Sequence, residues 1–421
     1  MFLMGESRSA RLINNVISSL FFRFFGLIVT ILMTPLLVGS LSADQYALFV
    51  IIISFSTFVA YSDLGLGMGM VNDLVGCDNE ARRKALACVF WVLVFVAFGI
   101  IVIGVVVVNI FAHEKWQSDT WLTFIILSSI AVPLGLGHRV LFALEKIHIS
   151  NLCLNIGRAG SLLAVYLVSL QDGAALWVYV LAFLGVPSLM NFGLWIWLSW
   201  NFSFVRVGFY KKVFKGSLSR IAKGGQFLVL QLAVFFDSIV DVIFIGIFYE
   251  GVVVRDFDLL SKIYIYVPAI VSVGLFPLWP SLRSALKEGD SAWVSIVLNR
   301  SIVLVVGVSV LVSLVLYFHI YELVKMWSGI DVMLGKDVVL GLSAFAVLTS
   351  VATLQAMYLN AQDEILIQSV VAVLFIGVVA LVKLMFLKYL DVGSMVIAGA
   401  VVYGVKILVL HIIYQKGGRS C

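Results

Sequence analysis

Apolar runs of about 20 residues follow one another along almost the entire chain, about a dozen in all, separated only by short polar connections. About 20 helical residues cross the hydrocarbon core of a bilayer, and lipid offers the backbone no hydrogen-bond partners. Each run is therefore a transmembrane helix, and the chain reads as an all-α polytopic membrane protein. At about 30–35 residues per span plus connection, twelve helices consume all 421 residues and leave no room for a soluble domain. A content of 62% hydrophobic and 12% charged residues excludes a soluble core, where charged residues make up about 25%.

The spans are expected near 15–38, 45–66, 87–110, 120–143, 149–170, 174–199, 222–248, 256–281, 293–318, 337–359, 365–387 and 392–414. Arg8 and Arg11 precede a first run without a small-residue cleavage site, which marks it as a retained helix rather than a signal peptide. An even number of spans puts both termini on one side. With the N-terminus inside, clusters such as Arg82-Arg83-Lys84 and Lys211, Lys212 and Lys215 fall in the cytoplasm, while Lys115, Arg255, Lys325, Lys336 and Lys388 lie outside. The bias is about 17 basic residues to 5, and positive-inside placement then fixes cytoplasmic termini.

The longest inside connection alternates Phe202, Phe204, Phe209, Tyr210 and Phe214 with Arg206, Lys211, Lys212 and Lys215. It serves as a basic linker, and its alternation also suits an anionic lipid surface. The expected organisation is a six-helix lobe over 1–205, a cytoplasmic linker over 206–221 and a second six-helix lobe over 222–421. Repeats of this kind place a substrate pathway at their interface. All six prolines fall within spans, and Pro268, Pro277 and Pro280 share the eighth, predicting a kink there, static or hinge-like. Cys77, Cys88, Cys153 and Cys421 show no C-x-x-C spacing and are expected to be free thiols.

Function is expected in the few charges inside the spans. At a rise of about 1.5 Å per residue, Arg23 lies about 12 Å from the inner face, with Arg158 and Lys406 at the same depth. Each would cost about 2.5–3.5 kcal/mol facing lipid, so the three are expected to line an aqueous cavity. Guanidinium forks and an ammonium suit an anionic headgroup, and Arg139, nearer the inner mouth, begins the path. Lys383, near the outer end of its span, is expected to snorkel. Asp237 and Asp241, spaced i, i+4, share one helix face in the outer half of the membrane. Lys262 matches Asp241 in depth, so an Asp241–Lys262 pair is expected. The sharper alternative is that Asp237 and Asp241 carry H+ or Na+. Asp63, in Ser62-Asp63-Leu64-Gly65, joins the ion-coupling candidates, with a helix-end role as its simpler reading.

The five histidines lack metal-ligand spacing, no Gly-rich phosphate loop appears, and no large extramembrane loop could house a sugar-nucleotide site. Neither an enzyme, a metal, a cofactor nor a nucleic-acid partner is expected.

Several segments resemble the polysaccharide-export branch of the multidrug/oligosaccharidyl-lipid/polysaccharide (MOP) flippase superfamily, and most of all the bacterial O-antigen Wzx flippases. They are Arg23 after Asn14-Asn15, the Tyr46 hairpin followed by Asp63-Leu64-Gly65-Leu66, Asp241-Val242-Ile243-Phe244-Ile245-Gly246, and Phe257-Asp258-Leu259-Leu260-Ser261-Lys262 with Pro268. Asp256-Phe257 stands where such proteins often carry Gly-Tyr. The resemblance spans essentially the whole chain. It implies a V-shaped, two-lobed flippase of the bacterial inner membrane. Such a protein moves an undecaprenyl-pyrophosphate-linked O-unit to the outer leaflet by alternating access, beside a polysaccharide polymerase and a chain-length regulator. On that reading Arg23, Arg139, Arg158, Lys262 and Lys406 meet the substrate. The competing readings are a multidrug or small-molecule antiporter of the same superfamily, and a polysaccharide polymerase.

Overall fold

The computed structural model describes residues 8–60, 66–74, 78–111, 118–206, 208, 228–275, 278–362 and 364–417. They form α1 (Arg8–Ser40), α2 (Ala43–Ala60), α3 (Leu66–Leu74), α4 (Asn79–Phe111), α5 (Ser118–Leu134), α6 (Leu136–Ala143), α7 (Ile147–Ser169) and α8 (Leu176–Asn201). After these come α9 (Leu228–Phe248), α10 (Gly251–Tyr264), α11 (Tyr266–Leu275), α12 (Leu278–Glu288), α13 (Ser291–Ser328), α14 (Lys336–Ala361), α15 (Ile365–Tyr389) and α16 (Val392–Gly417). The expectation of an all-α polytopic membrane protein holds. Among the described residues, nine helices are long and apolar enough to cross a membrane, and Phe24–Ser40 and Ala43–Val59 are shorter apolar helices.

The eighth expected span, 256–281, is broken between α10 and α11 at Ile265. Pro268 accounts for the break: it has no N–H for the Tyr264 carbonyl, and its ring clashes with that same group. Outward-facing apolar side chains such as Val303, 73% exposed, and Phe318, 64% exposed, are what a lipid solvent requires. Hydroxyls inside the spans bond back along their own helices, as Ser309 Oγ does to the Val305 carbonyl (2.6 Å) and Ser350 Oγ to Ala346 (2.8 Å).

The chain divides into two compact units, residues 1–45 with 55–228, and residues 46–54 with 229–421. In the first unit α7 packs on α1 and α8, and α5 on α4 and α8. Gly157 and Gly160 of α7 admit α8 closely: a Cβ on Gly157 would lie 3.3 Å from Pro187 Cα, and one on Gly160 2.7 Å from Val186 Cγ1. Ser161 Oγ donates across this contact to the Phe183 carbonyl (2.9 Å). Ser42 and Gln45 cap α2 reciprocally, each side chain accepting from the other's backbone N–H (3.3 and 3.1 Å).

In the second unit α14 packs on α16, α13 and α11, and α15 packs on α16. Val271, Leu275, Val305 and Leu354 form a buried cluster joining α11, α13 and α14. The 38-residue α13 is capped by the Asp290 carboxylate, which accepts from the Trp293 N–H (3.0 Å), and stopped by Gly329 at φ +74°.

Of the expected linker only Arg206 and Gly208 are described. Arg206 Nε donates to the Ser199 carbonyl (3.0 Å), and the Gly208 carbonyl accepts from Trp91 Nε1 (3.1 Å). Cys88 and Cys153 are free thiols, and Cys77 and Cys421 lie outside the described residues.

Candidate functional site

In the second unit α9 changes from α to π geometry over Phe235–Ile239, at Asp237. A π-turn shifts the backbone bonding to i→i+5 and frees carbonyls for other donors. Lys383 of α15 uses them: its Nζ donates to the carbonyls of Asp237 (2.7 Å) and Phe236 (3.2 Å). The same ammonium lies 2.6 Å from Asp241 Oδ1, a buried ion pair. Beside it Lys406 Nζ of α16 donates to Asp237 Oδ2 at 2.5 Å. Tyr403 lies under Lys406, with the ammonium 5.2 Å from its ring centre, and packs against Phe345. Two carboxylates thus meet two ammoniums, all deeply or mostly buried.

Gly399 of α16 makes this possible, because a Cβ there would fall 2.7 Å from Lys383 Cε, where the lysine stem runs. Lys383 is 2% exposed, so it does not snorkel as expected. Burial is favoured because two carbonyls and a carboxylate together replace the ammonium's hydration.

The expected Asp241–Lys262 pair does not form. Lys262 instead pairs with Asp258 Oδ2 (2.6 Å), one turn earlier on α10, and donates to Tyr46 Oη (3.0 Å). The Tyr46 hydroxyl, fully buried, donates to the same carboxylate oxygen at 2.6 Å. An aspartate four residues before a lysine is the nearest partner a helix can offer, and that local pairing wins over equal depth on another helix. Asp256 is closed in a similar way by Arg255 (2.8 Å) and the Met333 N–H (2.9 Å).

In the first unit Arg158 stands near the middle of α7, exposed, with its guanidinium in the space left by the missing side chain of Gly26 on α1. It forms no ion pair with a described residue. Arg23 lies one turn before Gly26 on the same helix; its side chain is outside the described residues, as is the whole of Asp63. Lys406, expected at one level with these arginines, is held by Asp237, so it is not an open cation.

Arg139 lines a separate cavity of about 260 Å³ in the first unit, formed by α2, α5, α6 and α8. The helix breaks there at Gly135, and the Leu134 carbonyl accepts from Trp195 Nε1 (2.8 Å). Sequence reasoning missed this cavity, the role of Lys383 and the Tyr46–Asp258 contact. Only Lys383 carried a signal, as a charge within an apolar run.

No family model matches the chain, and no curated protein matches it. Solved structures do. A multidrug resistance MATE family transporter of the MOP superfamily, in its inward-facing conformation, is 14% identical, with 93% of this chain and 94% of that one covered and a TM-score of 0.74. The lipid II flippase MurJ, in an inward closed conformation, is 14% identical over 96% and 87%, with a TM-score of 0.76. The Vibrio cholerae MATE transporter VcmN in its bent form is 14% identical over 97% and 98%, with a TM-score of 0.61. The chain therefore has the fold of these membrane transporters.

Proposed function

We propose that this chain is a flippase of the polysaccharide-export kind, moving an undecaprenyl-pyrophosphate-linked oligosaccharide from the inner to the outer leaflet of the bacterial cytoplasmic membrane by alternating access. The observation that carries the reading is Arg158 of α7: a guanidinium at mid-span, without an ion-pair partner among the described residues, packed against Gly26, one turn after Arg23 on α1. An unmatched arginine at that depth costs about 2.5–3.5 kcal/mol, and a diphosphate supplies the missing charge in bidentate geometry. Sharing a fold with a lipid II flippase supports the reading.

A drug antiporter for cationic substrates would need acids open to its cargo. Asp237, Asp241 and Asp258 are each closed by a lysine, which disfavours that alternative. The same closure leads us to give Asp237 and Asp241 a role in holding the bundle, in place of ion coupling. Neither catalysis nor polymerisation is proposed for the chain.

The test is complementation in a host lacking its own flippase. The parent is expected to restore surface polysaccharide, Arg158→Ala to lower it at least about tenfold, and Arg158→Lys, which keeps the charge without the fork, to fall between them. Full complementation by a normally expressed Arg23→Ala/Arg158→Ala double variant would overturn the assignment.

A further inference from the structure

Asn155 and Arg158 stand one turn apart on α7, on the side that packs against α1. A Cβ on Gly26 of α1 would clash with Arg158 Nη1 and come within 3.7 Å of Asn155 Oδ1, so the missing side chain leaves a gap that both groups border. The two are satisfied differently. Arg158 is exposed, whereas Asn155 is 5% exposed. The Asn155 NH2 group donates to the Asn151 carbonyl (2.8 Å), which fixes the amide orientation, because a carbonyl oxygen could not take that place. Oδ1 is then the atom left at the gap, buried and without a hydrogen-bond partner. Thr30 of α1 does not supply the hydrogen, since its Oγ1 donates to the Gly26 carbonyl (3.0 Å). A buried acceptor left unmatched costs about 1–3 kcal/mol and calls for a donor.

A guanidinium carries five N–H donors. While Arg158 is exposed, water accepts from them. A bidentate phosphate takes two and at the same time shuts water out, which leaves the remaining N–H groups in need of an acceptor from the protein. Asn155 Oδ1 is an acceptor in need of a donor at the same gap.

Resting on the flippase reading above, we propose that Asn155 is a positioning residue for Arg158. When the cargo diphosphate covers the guanidinium, Nε and Nη2 take the phosphate oxygens, Nη1 donates to Asn155 Oδ1, and this last bond fixes the plane of the fork. One contact thereby satisfies two groups that each lack a partner. Gly26 belongs to the device, because any side chain there would hold Nη1 off.

The experiment is calorimetric titration of the purified full chain in detergent with inorganic pyrophosphate. Asn155→Leu removes the acceptor and keeps the branched shape. It is expected to weaken pyrophosphate binding about tenfold, the loss expected for a hydrogen bond to a charged group. In an Arg158→Lys background the same change is expected to cost less than about twofold, because an ammonium is a point charge with no plane to fix. An unpartnered buried carbonyl replaced by an apolar group leaves nothing unmatched, so ligand-free Asn155→Leu is expected to unfold at the parent's temperature or above it. A lower unfolding temperature would mean that Oδ1 is already engaged, and it overturns the proposal. So does an affinity that Asn155→Leu leaves unchanged, or an equal loss in the Arg158→Lys background, which is the mark of a packing role. Failure of the flippase reading looks different. A parent that binds no pyrophosphate, or binds it as well after Arg158→Ala, removes the anion site and both proposals with it, whereas binding lost with Arg158 but kept in Asn155→Leu removes the positioning role alone.

Discussion

Lys383 has two backbone carbonyls and a carboxylate around its ammonium and almost no contact with solvent. Removing one member of such a pair strands the other charge, at a cost of about 3–5 kcal/mol, whereas removing both strands none. Asp241→Asn and Lys383→Met are therefore each expected to destabilise the protein strongly, and the double variant to lose much less than the sum. A double-mutant cycle by unfolding in detergent measures this, and a coupling near zero would refute the pair. Because Asp237 and Asp241 already hold ammoniums, replacing Na+ by K+ is expected to leave transport by the parent unchanged. The charges themselves were legible, each standing out in an apolar run. Their partners were not, because depth ranks Lys262 and other lysines alike, while pairing depends on Asp258 one turn away and on the clearance at Gly399.

Helices were legible because hydropathy over about 20 residues is what lipid demands: among the described residues nine expected spans correspond to helices long and apolar enough to cross a membrane, the first two to shorter apolar helices, and the eighth to the broken α10 and α11. What distorts them was legible only in part. Pro268 announces the break between α10 and α11 through its missing N–H. The π-turn at Phe235–Ile239 has no such mark, since it contains neither proline nor glycine and its Asp237 and Ser238 do not by themselves announce a change of helix geometry. Close helix contacts depend on particular glycines, and these separate into two kinds. A Cβ on Gly341 of α14 would fall 2.8 Å from Val396 Cγ1 and 3.0 Å from the Ile397 nitrogen, and one on Gly399 would meet Lys383, whereas Gly377 of α15 has nothing within 4 Å. Gly399→Ala is expected to cost about 1–3 kcal/mol by overpacking. Gly377→Ala is expected to be neutral or to gain up to about 1 kcal/mol of helix propensity. Comparing their unfolding temperatures decides the matter: a Gly399→Ala variant as stable as Gly377→Ala would mean that the lysine stem does not need this space.

For the whole molecule, the fold was legible from span number and order, which many sequences can satisfy. A lipid-facing surface asks only for apolar side chains, and helix crossings ask for small ones. For orientation we propose a different force, the bias of basic residues against translocation, about 17 to 5, which predicts cytoplasmic termini. The connection after α13 carries few positive charges, with Lys325 paired to Asp331 at 2.8 Å and Met333 86% exposed, as suits the outer side. Alkaline phosphatase joined after Met333 is therefore expected to be active and a fluorescent protein there dark, because phosphatase folds only after export. At the C-terminus the pattern is expected to reverse. An active phosphatase at the C-terminus would mean an odd number of spans, or a first helix that enters from the other side. In the latter case Arg23, expected in the inner half of its span, would lie in the outer half, away from the leaflet where a lipid-linked diphosphate must be picked up, and the flippase reading would lose that part of its site.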